Sequence, residues 1–514
     1  MRLKARLIHL DAGGKWIAIL NTDDAEELGV RSLGRIRLRR NGLELTAIVN
    51  TTSRIVPKGS IGIYDETRSY LQLQQGDEVE VEVSSPPNSL NYIRNRLRGR
   101  KLTRDEIREI IKDVVSGELS EVEITSFVTS LHHFELDIDE ATSLSWAMVE
   151  TGRTLQLDKK IIVDKHSIGG APGDKTTLLV VPIVAACGLT IPKSSSRAIT
   201  SSAGTADRAE VFMPVDLDMD EMKKVIDKTD GCIVWGGALH LAPADEIFVQ
   251  VEFPLSIDPL LLPSIISKKK AVGSNFVVID IPTGAEVKVK TMSEAQLLAQ
   301  DFIELGRRMD MGIQCAITYA GQPIGHTIGP ALEAREALEN LMNLKRDHDL
   351  VDKVADVAGM LLEMAGRPNG QDIAMEILRS GRAEKKFREI VREQGGDPEI
   401  KPDDIKVGEC SEDVVSDEEG VVLWINNSKL VDLARLAGAP KDKGAGILLH
   451  KKLREKVGKG DKLFTVYAEK AGKLQRTLSA LDGEVTMVVG RIMEMTLSQI
   501  KELKPPRERF VLER

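Results

Sequence analysis

Residues 165–189 read KHSIGGAPGDKTTLLVVPIVAACGL. The first thirteen hold three glycines, two lysines, one histidine and three hydroxyls, and an apolar run follows at once. Glycines let main-chain N–H groups approach an anion closely, and consecutive N–H groups form an anion-binding nest. Lys165 adds a positive charge, and Ser167, Thr176 and Thr177 add neutral donors that grip phosphate oxygens. The spacing is not that of a P-loop, which needs four residues between its glycines and then Gly-Lys-Ser/Thr. From Gly169 to Gly173 there are three, and Asp174 separates Gly173 from Lys175. The stretch suits an anion but excludes that motif; a tight turn between two elements is the plainer reading.

The apolar run fits a buried strand or a buried helix, because without a polar face periodicity does not decide. It is too short to span a bilayer and contains Pro182. Around it, CIVWGG, NFVVIDI and GIQCAITYA read as strands, and residues 293–308, 330–344, 350–364 and 382–394 as helices. Alternating strands and helices predict a layered sheet. Upstream, KWIAIL, RIRLRR, ELTAIV and DEVEVEV alternate as short strands, and SSPPNS at 84–89 reads as a linker. Thr103, Ser120 and Asp137 each stand three residues before a glutamate, which marks helix starts. Downstream of Val407, KLFTVYA and EVTMVVG are β-rich. A lipoyl- or biotinyl-carrier reading of that block fails because its plausible tip, Asp482, Gly483 and Glu484, has no lysine.

The expected fold is therefore multidomain α/β. A small N-terminal β domain covers 1–84 and a helical domain 85–155, with further helices from the middle of the chain. A central α/β domain with a mixed sheet covers 156–406, and a C-terminal α+β, β-rich domain 407–514. With 514 residues, three or so domains are expected at roughly 100–200 residues each. A net charge of −9 argues against a protein that grips nucleic acid over its whole surface. The four cysteines are far apart and form no CxxC, so neither a disulfide framework nor a zinc site is expected. With no apolar signal region in MRLKARLIHL, a cytoplasmic location and no membrane partner are expected.

Three more stretches carry candidate chemistry. PKSSSRAITSSAGTAD, residues 192–207, has six hydroxyls around Arg197, whose planar fork matches phosphate. No acidic residue lies between 191 and 206, so two anion-binding stretches within forty residues suggest two phosphate groups. In SIDPLLLPSIISKKKAVGSN, residues 256–275, Asp258 beside an apolar wall suits a proton donor. It equally suits a helix cap with Pro259 at the first position. In DIPTGAEVKVKT, residues 280–291, Lys288 and Lys290 share a side if the segment is a strand.

Taken together, the Lys-His-Ser-x-Gly-Gly loop, Gly-Asp-Lys-Thr and the Ser-x-Arg segment ending Gly-Thr resemble the signature of the thymidine phosphorylase family. GPALEAREAL at 329–338 and KGAGILLHKKL at 443–453 fit it too, from about Asn91 onward. The N-terminal β domain and the hydroxyl-rich segment look like the archaeal AMP phosphorylase branch. The resemblance implies attack of inorganic phosphate on C1′ of a ribose, giving adenine and ribose 1,5-bisphosphate from AMP, a product similar to what feeds a ribulose-bisphosphate carboxylase route. CMP and UMP stand as further candidate substrates. No cofactor or metal is implied. Lys165, Ser167, Thr177, Ser195 and Thr205 match the family's phosphate ligands. Gly169, Gly170, Ser196, Arg197, Ala198, Ile199, Thr200 and Ser201 would wrap the nucleotide, with Ser264, Lys268 and Lys288 near the base and Asp258 as general acid. The family is dimeric, and the N-terminal domain would serve a larger homo-oligomer. Two departures weigh against pyrimidine readout: Ser201 stands where a histidine is found, and VQVEFPLS lacks the expected arginine. Pyrimidine nucleoside phosphorolysis remains the alternative, with a Mg²⁺-dependent phosphoribosyltransferase and a non-catalytic sensor behind it.

Overall fold

The computed structural model describes residues 1–198, 201–343, 348–481 and 483–491. Ile199, Thr200 and Asp482, singled out above, lie outside them. The N-terminal strands close into a six-stranded barrel in which Arg2–Leu7 and Glu78–Val83 pair and seal the ring. Alternation does the sorting: Leu3, Ala5, Ile36, Leu38, Val79 and Val81 are buried inside, and charged neighbours point out.

The barrel is seated on the helical domain at the corner between the helices Arg104–Val115 and Glu121–Phe134. Trp16 lies against Gly117, where a Cβ would come within 2.4 Å of the indole. The Arg35 guanidinium pairs with Glu123, both largely buried, and its Nε donates to the Glu118 carbonyl at 2.9 Å. Thr46 donates to the Glu118 carboxylate at 2.8 Å. Removing one partner of a buried pair leaves the other uncompensated, at a cost of about 3–5 kcal/mol. Arg35→Ala is therefore expected to free the barrel from this corner, seen as faster proteolytic cutting in the 84–88 linker; an unchanged cutting rate refutes the clamp.

The helix starts marked by Thr103 and Asp137 are capped, with the Asp137 carboxylate accepting the Glu140 N–H at 2.8 Å. Ser120 differs: its N–H and hydroxyl both go to Glu123, so the serine does not cap the backbone. Ile107, Ile110, Ile111 and Val114 form the bundle core, and two later helices, Pro243–Leu255 and Leu261–Ala271, complete it.

In the central domain Val163–Ser167 pairs with Phe276–Thr283, which pairs with Gly312–Tyr319. Ile191–Ser195 pairs with Gly231–Trp235, and one bridge, Ile162 to Thr190, links the two groups. These recorded pairings are all parallel, and the antiparallel pairs of the described chain lie in the terminal domains, apart from one that Thr327–Ile328 makes with the C-terminal domain. The ambiguous apolar run is a helix, Thr176–Ala186, packed by His348–Met364, Gly370–Arg379 and Arg382–Glu393. Buried on every side, it needs no polar face. DIPTGAEVKVKT is strand only to Thr283; beyond it the chain loops, with one bridge at Val289. In the C-terminal domain, Thr327–Ile328 reaches across from the central region to pair with Gly446–Leu449. No described helix is long and apolar enough to cross a membrane.

Candidate functional site

The glycine-rich loop connects the end of strand Val163–Ser167 to the start of helix Thr176–Ala186. Its backbone requires glycine. Gly170 has φ of 102°, and a Cβ there would lie 3.1 Å from Val287. Gly173 has φ of 72°, and a Cβ would lie 2.6 Å from the Thr327 carbonyl. The Ser167 hydroxyl accepts the Gly169 N–H at 3.3 Å. Thr177 is buried, and so is Thr176, whose hydroxyl has no hydrogen-bond partner among the described residues. At this helix start the Thr176 N–H goes to the Asp174 carboxylate at 3.2 Å and the Leu178 N–H to the Lys175 carbonyl at 3.0 Å. The Thr177 N–H has no partner among the described residues, and such a group favours an anion.

Lys165 is 2 % exposed, and no hydrogen bond or ion pair reaches its ammonium among the described residues. Burial pushes its pKa down, against the opposing fields of Asp174 and Asp280. Both aspartates also meet Lys353, which pairs with Asp280 at 2.7 Å and Asp174 at 3.5 Å. The Asp174 carboxyl lies far below the usual range: burial opposes this, but Lys353 and Lys165 outweigh it. Lys175, the other lysine of the motif, turns away. Its buried ammonium pairs with Glu336 and donates to the Ile324 carbonyl at 2.8 Å.

Behind the loop lies a dense group of buried cations. Lys269 pairs with Asp164 at 2.7 Å, and Lys193 stands 3.9 Å from the same carboxylate. Burial, then Lys269, hold the Lys193 amine well below its ordinary value. Burial followed by Lys269, Lys193, Lys268 and Lys165 does the same to His166. Four buried lysines (165, 193, 269 and 353) thus face two buried aspartates (164 and 280) and the partly buried Asp174.

The hydroxyl-rich segment is anchored, and its arginine is the anchor. Arg197 makes two bonds to Glu210, at 2.9 and 2.7 Å, two to Asp216, at 3.1 and 3.2 Å, and lies 5.1 Å over the Trp235 ring. In this arrangement its fork is filled by carboxylates, so a phosphate meeting it would have to displace them. Glu210 is drawn down to about 2, chiefly by Arg197. Asp207 accepts the N–H groups of Ala198 and Gly204 at 2.7 and 2.8 Å, closing the loop on itself. The Ser195 hydroxyl donates to the Val234 carbonyl at 3.1 Å, and Ser201 to the Ala203 carbonyl at 3.2 Å. Ser196 accepts the Ala206 N–H at 3.3 Å, beside Thr205 at the start of a short helix.

Asp258 caps nothing: the helix begins at Leu261, with Leu260 before it and no capping side chain. Its carboxylate, half-exposed, meets Lys288 at 2.8 Å. The Lys288 N–H lies 3.4 Å from the position of a Gly170 Cβ, so this loop ties Asp258 to the glycine-rich turn. Lys268 donates to Asp245 at 2.7 Å and to the Ser264 hydroxyl at 3.2 Å. A cavity of about 360 Å³ opens behind Asp258 and Pro259, but neither Lys165 nor Gly170 lines it.

Asp164, Lys193, Lys269, Lys353 and Glu252 are missing from the sequence-level candidates. Glu252 is buried, and burial, with Asp258 and Asp245 beside it, pushes its carboxyl up to about 8. A raised carboxyl leaves the fold holding a proton that the unfolded chain gives up. Stability attached to it is full below the unfolded value of 4.5 and falls as pH rises to about 8. The slope is about 1.4 kcal/mol per pH unit. Glu252→Gln is expected to remove that slope: urea unfolding at pH 5 and pH 8 should show the variant gaining several kcal/mol on the parent at pH 8. A parent–variant difference that is the same at both pH values refutes the protonated state.

Comparison with known proteins agrees with this architecture. Residues 90–152 match the helical bundle domain of the glycosyl transferase family and 159–384 its a/b domain. Residues 421–488 match the pyrimidine nucleoside phosphorylase C-terminal domain. The chain is 50% identical over 516 residues, covering all of both chains, to an AMP phosphorylase of Thermofilum pendens. It is 46% identical over 508 residues to that of Methanococcoides burtonii (98% of this chain, 100% of the other). With that of Thermococcus kodakarensis it shares 48% over 483 residues (93% and 96%). Among solved structures, anthranilate phosphoribosyltransferase from Thermus thermophilus aligns with a TM-score of 0.51 at 19% identity. It covers 59% of this chain and 98% of that one, a likeness of fold alone. A phosphorylase-type C-terminal domain, both glycosyl transferase domains and full-length identity near one half lead to one assignment: the chain belongs to the AMP phosphorylase family of pentosyltransferases.

Proposed function

We propose that this chain splits AMP with inorganic phosphate, releasing adenine and ribose 1,5-bisphosphate, and that CMP and UMP are further substrates. The observation that carries the reading is the Lys165 ammonium, buried and without a partner among the described residues at a glycine-built helix start. A buried charge needs a counter-charge, and an incoming phosphate supplies it. Ser167, Thr177, Ser195 and Thr205 complete its grip. Gly169, Gly170 and the loop from Ser196 to Ser201 enclose the nucleotide, and Ser264 and Lys268 face the base.

Breaking the N-glycosidic bond puts positive charge on the ribose and negative charge on the base. Phosphate, held on one face of the sugar, stabilises the first as it closes on C1′. Asp258 answers the second by giving a proton to the departing purine. In the ligand-free arrangement Lys288 occupies that carboxylate. A nucleotide phosphate that draws Lys288 away would free the Asp258 carboxyl to face the base. Closing the helical lobe on the α/β lobe would bring the reactants together and exclude water.

The product suits a route through a ribulose-bisphosphate carboxylase. Phosphate is the sole co-substrate, without cofactor or metal. The working unit is a homodimer in the cytoplasm, with the barrel available for a larger assembly; a chain shortened to begin near Ser89 would then lose size in solution. One assay tests the reaction: AMP, CMP, UMP, adenosine and thymidine, each with and without phosphate, with free base read by chromatography. Phosphate-dependent adenine release that persists in EDTA is the expected result. Thymine release without adenine favours the pyrimidine alternative, and inhibition by EDTA overturns the metal-free mechanism.

A further inference from the structure

The turn that carries Asp258 is held from beneath by a carboxyl group that the chemistry leaves unused. Glu252 lies in the last turn of the helix Pro243–Leu255 and is 7 % exposed. Its Oε1 accepts the Leu260 N–H at 3.3 Å, and its main-chain oxygen accepts the Ile257 N–H at 3.2 Å. These two bonds bracket Asp258 on both sides. Within the bracket, Pro259 has no N–H to give. Just before it, Ser256 takes a left-handed conformation, with φ of 53°. Such a turn persists only where its surroundings hold it. On the outer side, the Asp258 carboxylate reaches, among the described residues, only the end of a long lysine side chain, Lys288.

We propose that Glu252 is a positioning residue for the reaction: its carboxyl seats the 256–260 turn so that Asp258 is presented to the base. It acts through Asp258, and the inference rests on the reading of Asp258 as the acid. The elevated carboxyl described above supports it. Near neutrality Glu252 is uncharged, so it accepts the Leu260 N–H without placing a second negative charge beside Asp258. An aspartate would fall one methylene short of that bond, and a leucine would fill the space without making it.

The comparison of Glu252→Gln with Glu252→Leu tests this, using kcat and KM for AMP and phosphate together with thermal unfolding of each variant. Glutamine keeps an acceptor oxygen at the same reach and should stay within about threefold of the parent kcat, whereas leucine should lose about tenfold or more with KM for phosphate unchanged. A folded leucine variant that turns over like the parent overturns the proposal. So does a glutamine variant that falls as far as the leucine one, because a restored acceptor would then restore nothing. Should leucine prevent folding, Glu252→Asp gives the same contrast. A parent enzyme that never releases adenine would instead sink the functional reading, and a fully active Asp258→Asn would sink the acid; neither outcome resembles the glutamine–leucine split.

Discussion

Replacing Lys165 by methionine is expected to lower kcat/KM for phosphate by about 10²–10³-fold, the size of effect that follows loss of one preorganised donor to a developing or attacking oxyanion. The side chains are similar in volume, so the packing of strand Val163–Ser167 survives. What goes is an ammonium that the fold buries without a partner among the described residues. Because burial already works against that charge, the ligand-free variant should unfold at the same temperature as the parent or higher. Phosphate should separate the two proteins. At one hundred times its Kd a ligand adds about 2.7 kcal/mol to the stability of the protein it binds, and the parent should show that gain while the variant shows little. Thermal scans with and without phosphate read both effects. A variant protected by phosphate as well as the parent would place the anion elsewhere.

Asp258→Asn should lower kcat for AMP by about 10²–10⁴-fold, the range of general acid catalysis. Asparagine keeps the shape and still offers hydrogen bonds to the Lys288 side chain, but it has no acidic proton to give. A diagnostic follows from the base itself. A 7-methylated purine nucleotide already carries positive charge on its ring and leaves without protonation. The variant should therefore cleave it nearly as fast as the parent does. Equal losses on both substrates would mean that Asp258 organises the cleft and moves no proton.

Much of the architecture was legible because it is written locally. Thr103 and Asp137 announce helix starts through their own neighbours, and barrel strands announce themselves through alternation. The glycine-rich turn was legible for the same reason, since three positive-φ positions leave little choice but glycine. What failed to show was decided across the chain. Arg197 looked unopposed because residues 191–206 hold no acid, yet its partners Glu210 and Asp216 stand just beyond that window. Lys175 belongs to the Gly-Asp-Lys-Thr motif, and nothing local shows that it is spent on Glu336, far along the sequence. Lys353 sits in an ordinary amphipathic helix, and only the sheet register that sets Ser167 beside Asp280 brings it to the loop. The run 178–186 gave no period because every face of it is covered.

The seating of the barrel on the Ser116–Glu123 corner has a mechanical meaning. A tryptophan in a glycine notch and a buried guanidinium–carboxylate pair weld the barrel to the lobe that carries Asp258. Whatever swing brings the two lobes together is therefore magnified with distance from that corner, as at the hairpin around Asn41 and Gly42, at the end of strand Arg35–Arg40 opposite Arg35. A dye placed there would serve as a pointer on a dial, reporting from a distance how far the jaws have shut.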